Sequence, residues 1–226
     1  MKRVYLDFKF SLFGDFKTIQ DDIQAFSVAL GPSFSKRMDN QLTGTQITPI
    51  YIYDCENYTI VVSSGRIDII IKHGKDNDLE PLIFLLEKAR AFFSSFSRIA
   101  INSTFFVDGI DTDAFKNNLS KTPNSNIFPE TKELYIRENF VSKENDLVFN
   151  NIVSFGTDEI INRETFAKLN TILFSIDINN SPVSSDLNYI NLNNVQSYFY
   201  YMISNYKTLL SFLDKFALEA KNNAVN

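Results

Sequence analysis

The chain has 226 residues, 44% of them hydrophobic and 22% charged, with a formal net charge of −5. With 22 Phe and 10 Tyr it carries ample material for a core, which excludes disorder as the main state. No apolar run approaches the ~20 residues that span a bilayer, so an integral membrane protein is not expected.

One cysteine, Cys55, excludes an internal disulfide and a thiolate zinc site, and one histidine, His73, excludes any site needing two. Charges recur every second residue after Met1-Lys2-Arg3, so the start of the chain does not read as a signal peptide. The basic residues are scattered and the sequence pI is about 5.0, so nucleic acid is not the expected ligand.

In chain order, period-two alternation over residues 3–13 predicts a half-buried strand. Val4, Leu6, Phe8, Phe10 and Leu12 point one way and Arg3, Tyr5, Asp7, Lys9 and Ser11 the other. Phe16, Ile19, Ile23, Phe26 and Leu30 recur at helical spacing until Gly31-Pro32. Residues 33–46 are polar and read as a loop. Strands follow over 47–54, 58–62 and 66–72, joined by short turns that imply antiparallel neighbours. A polar loop, 73–78, leads to an amphipathic helix expected to run from Leu79 to about Ser97, followed by a strand over 98–107. Residues 108–131 read as a connection with a short helix near Ala114–Leu119.

A second series is expected to comprise strands at 134–141 and 147–155, a short helix over 158–169, a strand at 171–179 and a loop through Ser181-Pro182. A long helix then covers Asn191 to Ala220, with an apolar stripe from Val195 to Phe216. The order repeats: three strands, a polar loop, an amphipathic helix. Ile67-Asp68-Ile69 and Ile176-Asp177-Ile178 fall at matching places. The expected fold is α+β: antiparallel sheets with long amphipathic helices packed on one face. It forms one domain over 1–226, built as two βββα-like pseudo-repeats, about 47–107 and 132–220.

Candidate chemistry is sparse. Asp68 and Asp177 could form an acid/base or cation-binding pair if their strands met, or could be two solvated carboxylates. His73 could act as a general base or be a solvated loop residue. Acidic neighbours Asp54 and Glu56 oppose activation of Cys55. There is no nucleophile elbow, no dinucleotide or phosphate-binding glycine motif and no metal-ligand pair, so no cofactor or metal is expected. The consecutive aromatics Tyr198-Phe199-Tyr200-Tyr201 cannot all face one side of a helix, which makes them candidate interface residues against the alternative of one thick core.

Arg98-Ile99-Ala100-Ile101-Asn102 after an amphipathic helix, and Ile172-Leu173-Phe174-Ser175-Ile176-Asp177-Ile178 before a long terminal helix, resemble a sporadically distributed bacterial family of uncharacterised proteins. The resemblance implies a cytoplasmic bacterial protein, suits defence-associated genes, and carries no catalytic residues over. The expected function is a non-enzymatic interaction or assembly module, binding a protein partner or itself. The alternatives are a small apolar-ligand module and a carboxylate enzyme using Asp68 and Asp177.

Overall fold

The structure is a computed structural model. It describes residues 3–43, 45–72, 79–93, 95–110, 112, 135–161, 166, 168–180 and 190–223. His73, the predicted short helix at 114–119 and the predicted Ser181-Pro182 loop lie outside the described residues.

The strands are β1 (Arg3–Phe13), β2 (Ser35–Thr43), β3 (Gln46–Asp54), β4 (Tyr58–Val62), β5 (Arg66–Ile71), β6 (Ser95–Phe96), β7 (Arg98–Val107), β8 (Tyr135–Glu144), β9 (Leu147–Ile161), β10 (Lys168–Asn180) and β11 (Ile190–Asn191). The helices are α1 (Lys17–Asp21), α2 (Ile23–Leu30), α3 (Glu80–Lys88) and α4 (Leu192–Asn223). Nine strands form one antiparallel sheet in the order β2-β3-β4-β5-β1-β7-β10-β9-β8, and β6 pairs with β11 beside it. No described helix is long and apolar enough to cross a membrane.

This architecture overturns the expectation of antiparallel sheets with long amphipathic helices on one face and two βββα-like halves. The mass of the molecule is one continuous sheet, and a single helix, α4, is long. The predicted helix over 79–97 stops at Lys88. A single 3₁₀ turn, Arg90–Phe92, then brings Phe93 and Phe96 into the core from non-helical backbone. Apolar spacings of three and four fit either route, so periodicity did not separate them. The two central strands, β1 and β7, lie outside the proposed repeats or at their edge, yet they join the wings.

Within the sheet, β1 departs from strict alternation. Its register against β7 shifts between Tyr5 and Asp7, making Leu6 a bulge. Phe8, Phe10 and Leu12 are buried as expected, but Leu6 is 49% exposed. Tyr5 turns to the helix-covered face instead. Its ring lies 5.3 Å from Phe105, and Arg3 pairs with Asp214 of α4.

The predicted helix over 16–30 breaks at Asp22, whose carboxylate accepts from Ala25 N at 3.0 Å and caps α2. Gly31 ends α2 with φ 92°, a conformation that favours glycine. Residues 35–43, read as a loop, form an edge strand with mostly polar side chains. The predicted helix over 158–169 gives way to extensions of β9 and β10, paired out to Lys168 and Ile161.

α4 crosses β10 and β9 and buries Val195, Tyr198, Phe199, Met202, Ile203 and Tyr206. Phe199 and Tyr206 meet Phe10 and Phe8 edge-on, at 5.6 and 5.4 Å between ring centres. α2 and α3 cover the other wing through Phe26, Leu82 and Leu85. Among the described residues α2, α3 and α4 therefore lie on one face. The opposite face presents polar side chains across the central strands.

Candidate functional site

The four-aromatic run divides as a helix must divide it. Tyr198 is 8% exposed and Phe199 0%, so both belong to the core and are unavailable to a partner. Tyr201 packs its ring 5.3 Å from Phe149, and its hydroxyl donates to the Lys143 carbonyl at 3.4 Å. Tyr200 alone is open, at 53% exposure.

Asp68 and Asp177 do not meet. β1 and β7 stand between their strands, so the two residues are three strand spacings and two residues of register apart, about 16 Å. Asp68 accepts from Ser11 Oγ at 2.6 Å and Arg66 Nε at 2.7 Å. Asp177 accepts from the Asn179 amide at 2.9 Å. Each is a member of a structural network on the helix-free face. Asn139, Asn150 and Asn179 continue the second network across β8, β9 and β10 at 3.3 and 3.5 Å.

On the same face Arg66 and Arg98 both stack over Phe13, at 5.0 and 5.3 Å. Arg98 Nε is buried with no acceptor among the described residues. Cys55 donates its thiol to the Tyr58 carbonyl at 3.3 Å. No group of three His, Cys, Asp or Glu able to hold a metal ion occurs among the described residues.

The feature that collects exposed apolar side chains beside a cavity lies elsewhere, at the end of the sheet. β8 is the last strand, and no described strand pairs with its outer edge. It runs for ten residues without proline, in unbroken register with β9. Native edges of this length are normally blunted by charge, bulges or proline. The opposite edge, β2, follows that rule: it is polar everywhere but Met38 and Leu42, with Lys36, Arg37 and Asp39 along it. β8 carries charge only toward its ends, and its middle, Asn139-Phe140-Val141-Ser142, is uncharged.

Beside that middle a cavity of about 340 Å³ lies between β8, β9 and the C-terminal half of α4. Its apolar walls are Phe140, Leu209 and Phe212; Val141 borders it with its side chain on the helix-free face, opposite Asn150. Phe140 is 44% exposed, Phe212 45% and Val141 67%. The Phe140 and Phe212 rings meet edge-on at 6.5 Å.

The floor is polar but satisfied. Asn151, 4% exposed, donates to the Phe140 carbonyl at 2.9 Å and to Ser142 Oγ at 2.8 Å. Asn205 of α4 donates to Asn151 Oδ1 at 3.0 Å and to Ser142 Oγ at 3.1 Å. These bonds lock helix to sheet and fix the groove's shape before anything enters it.

None of these groove residues stood out in the sequence reading. Two signals were there. Phe140-Val141 are adjacent apolar residues in a strand, and alternation buries only one of such a pair. Phe212 lies beside the buried stripe of α4 rather than on it.

No model of a known protein family matches the chain, and no curated protein matches it. The functional reading therefore rests on the geometry.

Proposed function

We propose that this protein is an interaction module that receives an extended segment of a partner along β8, with an apolar side chain of that segment seated against Phe140 and Phe212. The observation that carries the reading is the coincidence of a ten-residue edge that no described strand pairs with and an apolar cavity opening on its uncharged middle. Strand addition supplies main-chain hydrogen bonds to the outer edge of β8, which no described strand occupies, and a pocket beside it supplies selectivity for alternate side chains. The satisfied Asn151–Asn205–Ser142 floor keeps the groove preformed, which reduces the ordering cost of binding.

The test is selection of a displayed random-peptide library against the chain. Enriched peptides should be extended, proline-free and apolar at their centre. Binding should disappear in Phe212→Asp and in Phe140→Asp while the unfolding temperature stays near that of the parent, since both side chains are nearly half exposed. Enriched peptides that bind both variants undiminished would move the site away from β8. Selection of compact small ligands in the same cavity, with no peptide enriched, would favour the apolar-ligand alternative.

A further inference from the structure

The charges on β8 specify what kind of strand fits it. Register places Arg137 opposite Ser154 and Lys143 opposite Val148, on the helix-free face. It places Glu138 opposite buried Val153 and Glu144 opposite buried Leu147, on the helix-covered face. The strand is thus basic on one face and acidic on the other. Among the described residues none of these four side chains forms an ion pair. On an ordinary exposed strand such charges are satisfied across to the neighbouring strand. Here β9 offers Ser154, Val148, Val153 and Leu147, which are uncharged.

A second copy added antiparallel fits the edge poorly. Two copies joined antiparallel through β8 are related by a twofold axis normal to the sheet, so each face continues into the same face of the other copy. With Phe140 opposite Phe140 of the other copy, Arg137 would meet the other copy's Lys143, and a slide of two residues would instead set Glu138 against Glu144; in no antiparallel register do opposite charges meet, because each face carries one sign. Like charges on directly opposite strands are destabilising.

Resting on the reading of β8 as a strand acceptor, we infer that its occupant is a segment of a different protein with the inverse face pattern. That segment carries acidic side chains on the helix-free face, opposite Arg137 and Lys143. It carries basic side chains on the helix-covered face, opposite Glu138 and Glu144. Between them lie uncharged residues, one of them apolar and directed to the Phe140–Phe212 cavity. The face rule depends on strand alternation alone, so it holds for either direction of addition.

The experiment uses two synthetic peptides of identical composition and net charge. One reads Lys-Glu-Thr-Val-Leu-Thr-Lys-Glu, which in antiparallel addition sets Glu against Arg137 and Lys143, and Lys against Glu138 and Glu144. The other exchanges every Lys with Glu. Fluorescence anisotropy with the full chain reads binding of each.

The first peptide should bind about tenfold or more tightly than the second at low salt, and the gap should shrink as salt screens the exposed pairs. In the variant Arg137→Glu with Lys143→Glu the preference should fall or invert. Equal binding of the two peptides would overturn the charge rule and leave strand addition standing. Failure of both peptides to bind a folded chain would overturn the edge reading itself. A concentration-dependent dimer of the chain, abolished by Phe212→Asp, would make the second copy the occupant and overturn this inference.

Discussion

The side-chain amide of Asn205 on α4 donates to Oδ1 of Asn151 on β9 at 3.0 Å, tying the long helix to the sheet through a residue only 4% exposed. Asn205→Ala removes this donor and leaves a buried oxygen one bond short. The expected loss is about 1–2 kcal/mol, the ordinary cost of such a deletion. Because Ser142 is shared by both amides, Asn205→Ala and Asn151→Ala should couple in a double-mutant cycle. Urea unfolding of the two single variants and the double variant measures this. Additive losses would show that the cluster does not act as a unit.

The aromatic run of α4 makes a sharper contrast between neighbours. Phe199→Ala opens a cavity in the densest part of the core and should cost about 3–5 kcal/mol. Tyr200→Glu, one residue on and 53% exposed, should stay within about 0.5 kcal/mol of the parent. Thermal denaturation of both variants decides it. A large loss from Tyr200→Glu would mean that this side chain is covered in the native state.

Leu6 tests the bulge in β1. Replacing it with Ser should change stability little, because the side chain is half exposed. Deleting it should cost more than about 3 kcal/mol, since a one-residue slip turns Arg3 and Tyr5 to the opposite face. That slip breaks the Tyr5–Phe105 contact and the Arg3–Asp214 pair together. A deletion variant as stable as the serine variant would mean that the bulge carries no packing.

Alkaline pH should weaken the fold through its tyrosines. Burial pushes the Tyr58 phenol up to about 12, helped by the neighbouring Cys55 thiol and Glu80, and burial also raises Tyr53. An unfolded tyrosine loses its proton near 10, whereas the folded one still holds it. The unfolded state therefore binds fewer protons between about pH 10 and 12, and stability falls as pH rises through that window. Below it the contribution is complete and constant. Urea midpoints measured across this range should decline, and Tyr58→Phe should flatten part of the decline. An equally steep curve in that variant would reassign the effect to other groups.

Much of the fold was legible because burial writes a period into the chain. Residues 98–107 carry Ile99, Ile101, Phe105 and Val107 on one face and form β7 at those bounds. The α4 stripe recurs at helical spacing and is buried along its described length. β2 was not legible, because an edge strand exposed on both faces has no apolar alternation to read. The segment 158–169 misled because the two strand ends project past the core, where apolar Ile161 and Leu169 are half exposed and leave no alternation to read. The bulge at Leu6 was hidden by perfect alternation in the letters, which the backbone then broke.

Taken alone, the amino-acid sequence determined which residues seek the interior, where most strands and the long helix run, and which catalytic and metal chemistries lack the residues they need. Those properties follow from composition and periodicity, which are local. Only the tertiary structure decided that β1 and β7 join two wings into one sheet, and that Asp68 and Asp177 stand apart. It also decided that Phe140 and Phe212, distant in the chain, line one groove beside an edge that no described strand pairs with. Periodicity tells a side chain which face it occupies, but the partner across that face is chosen by the packing of the whole molecule.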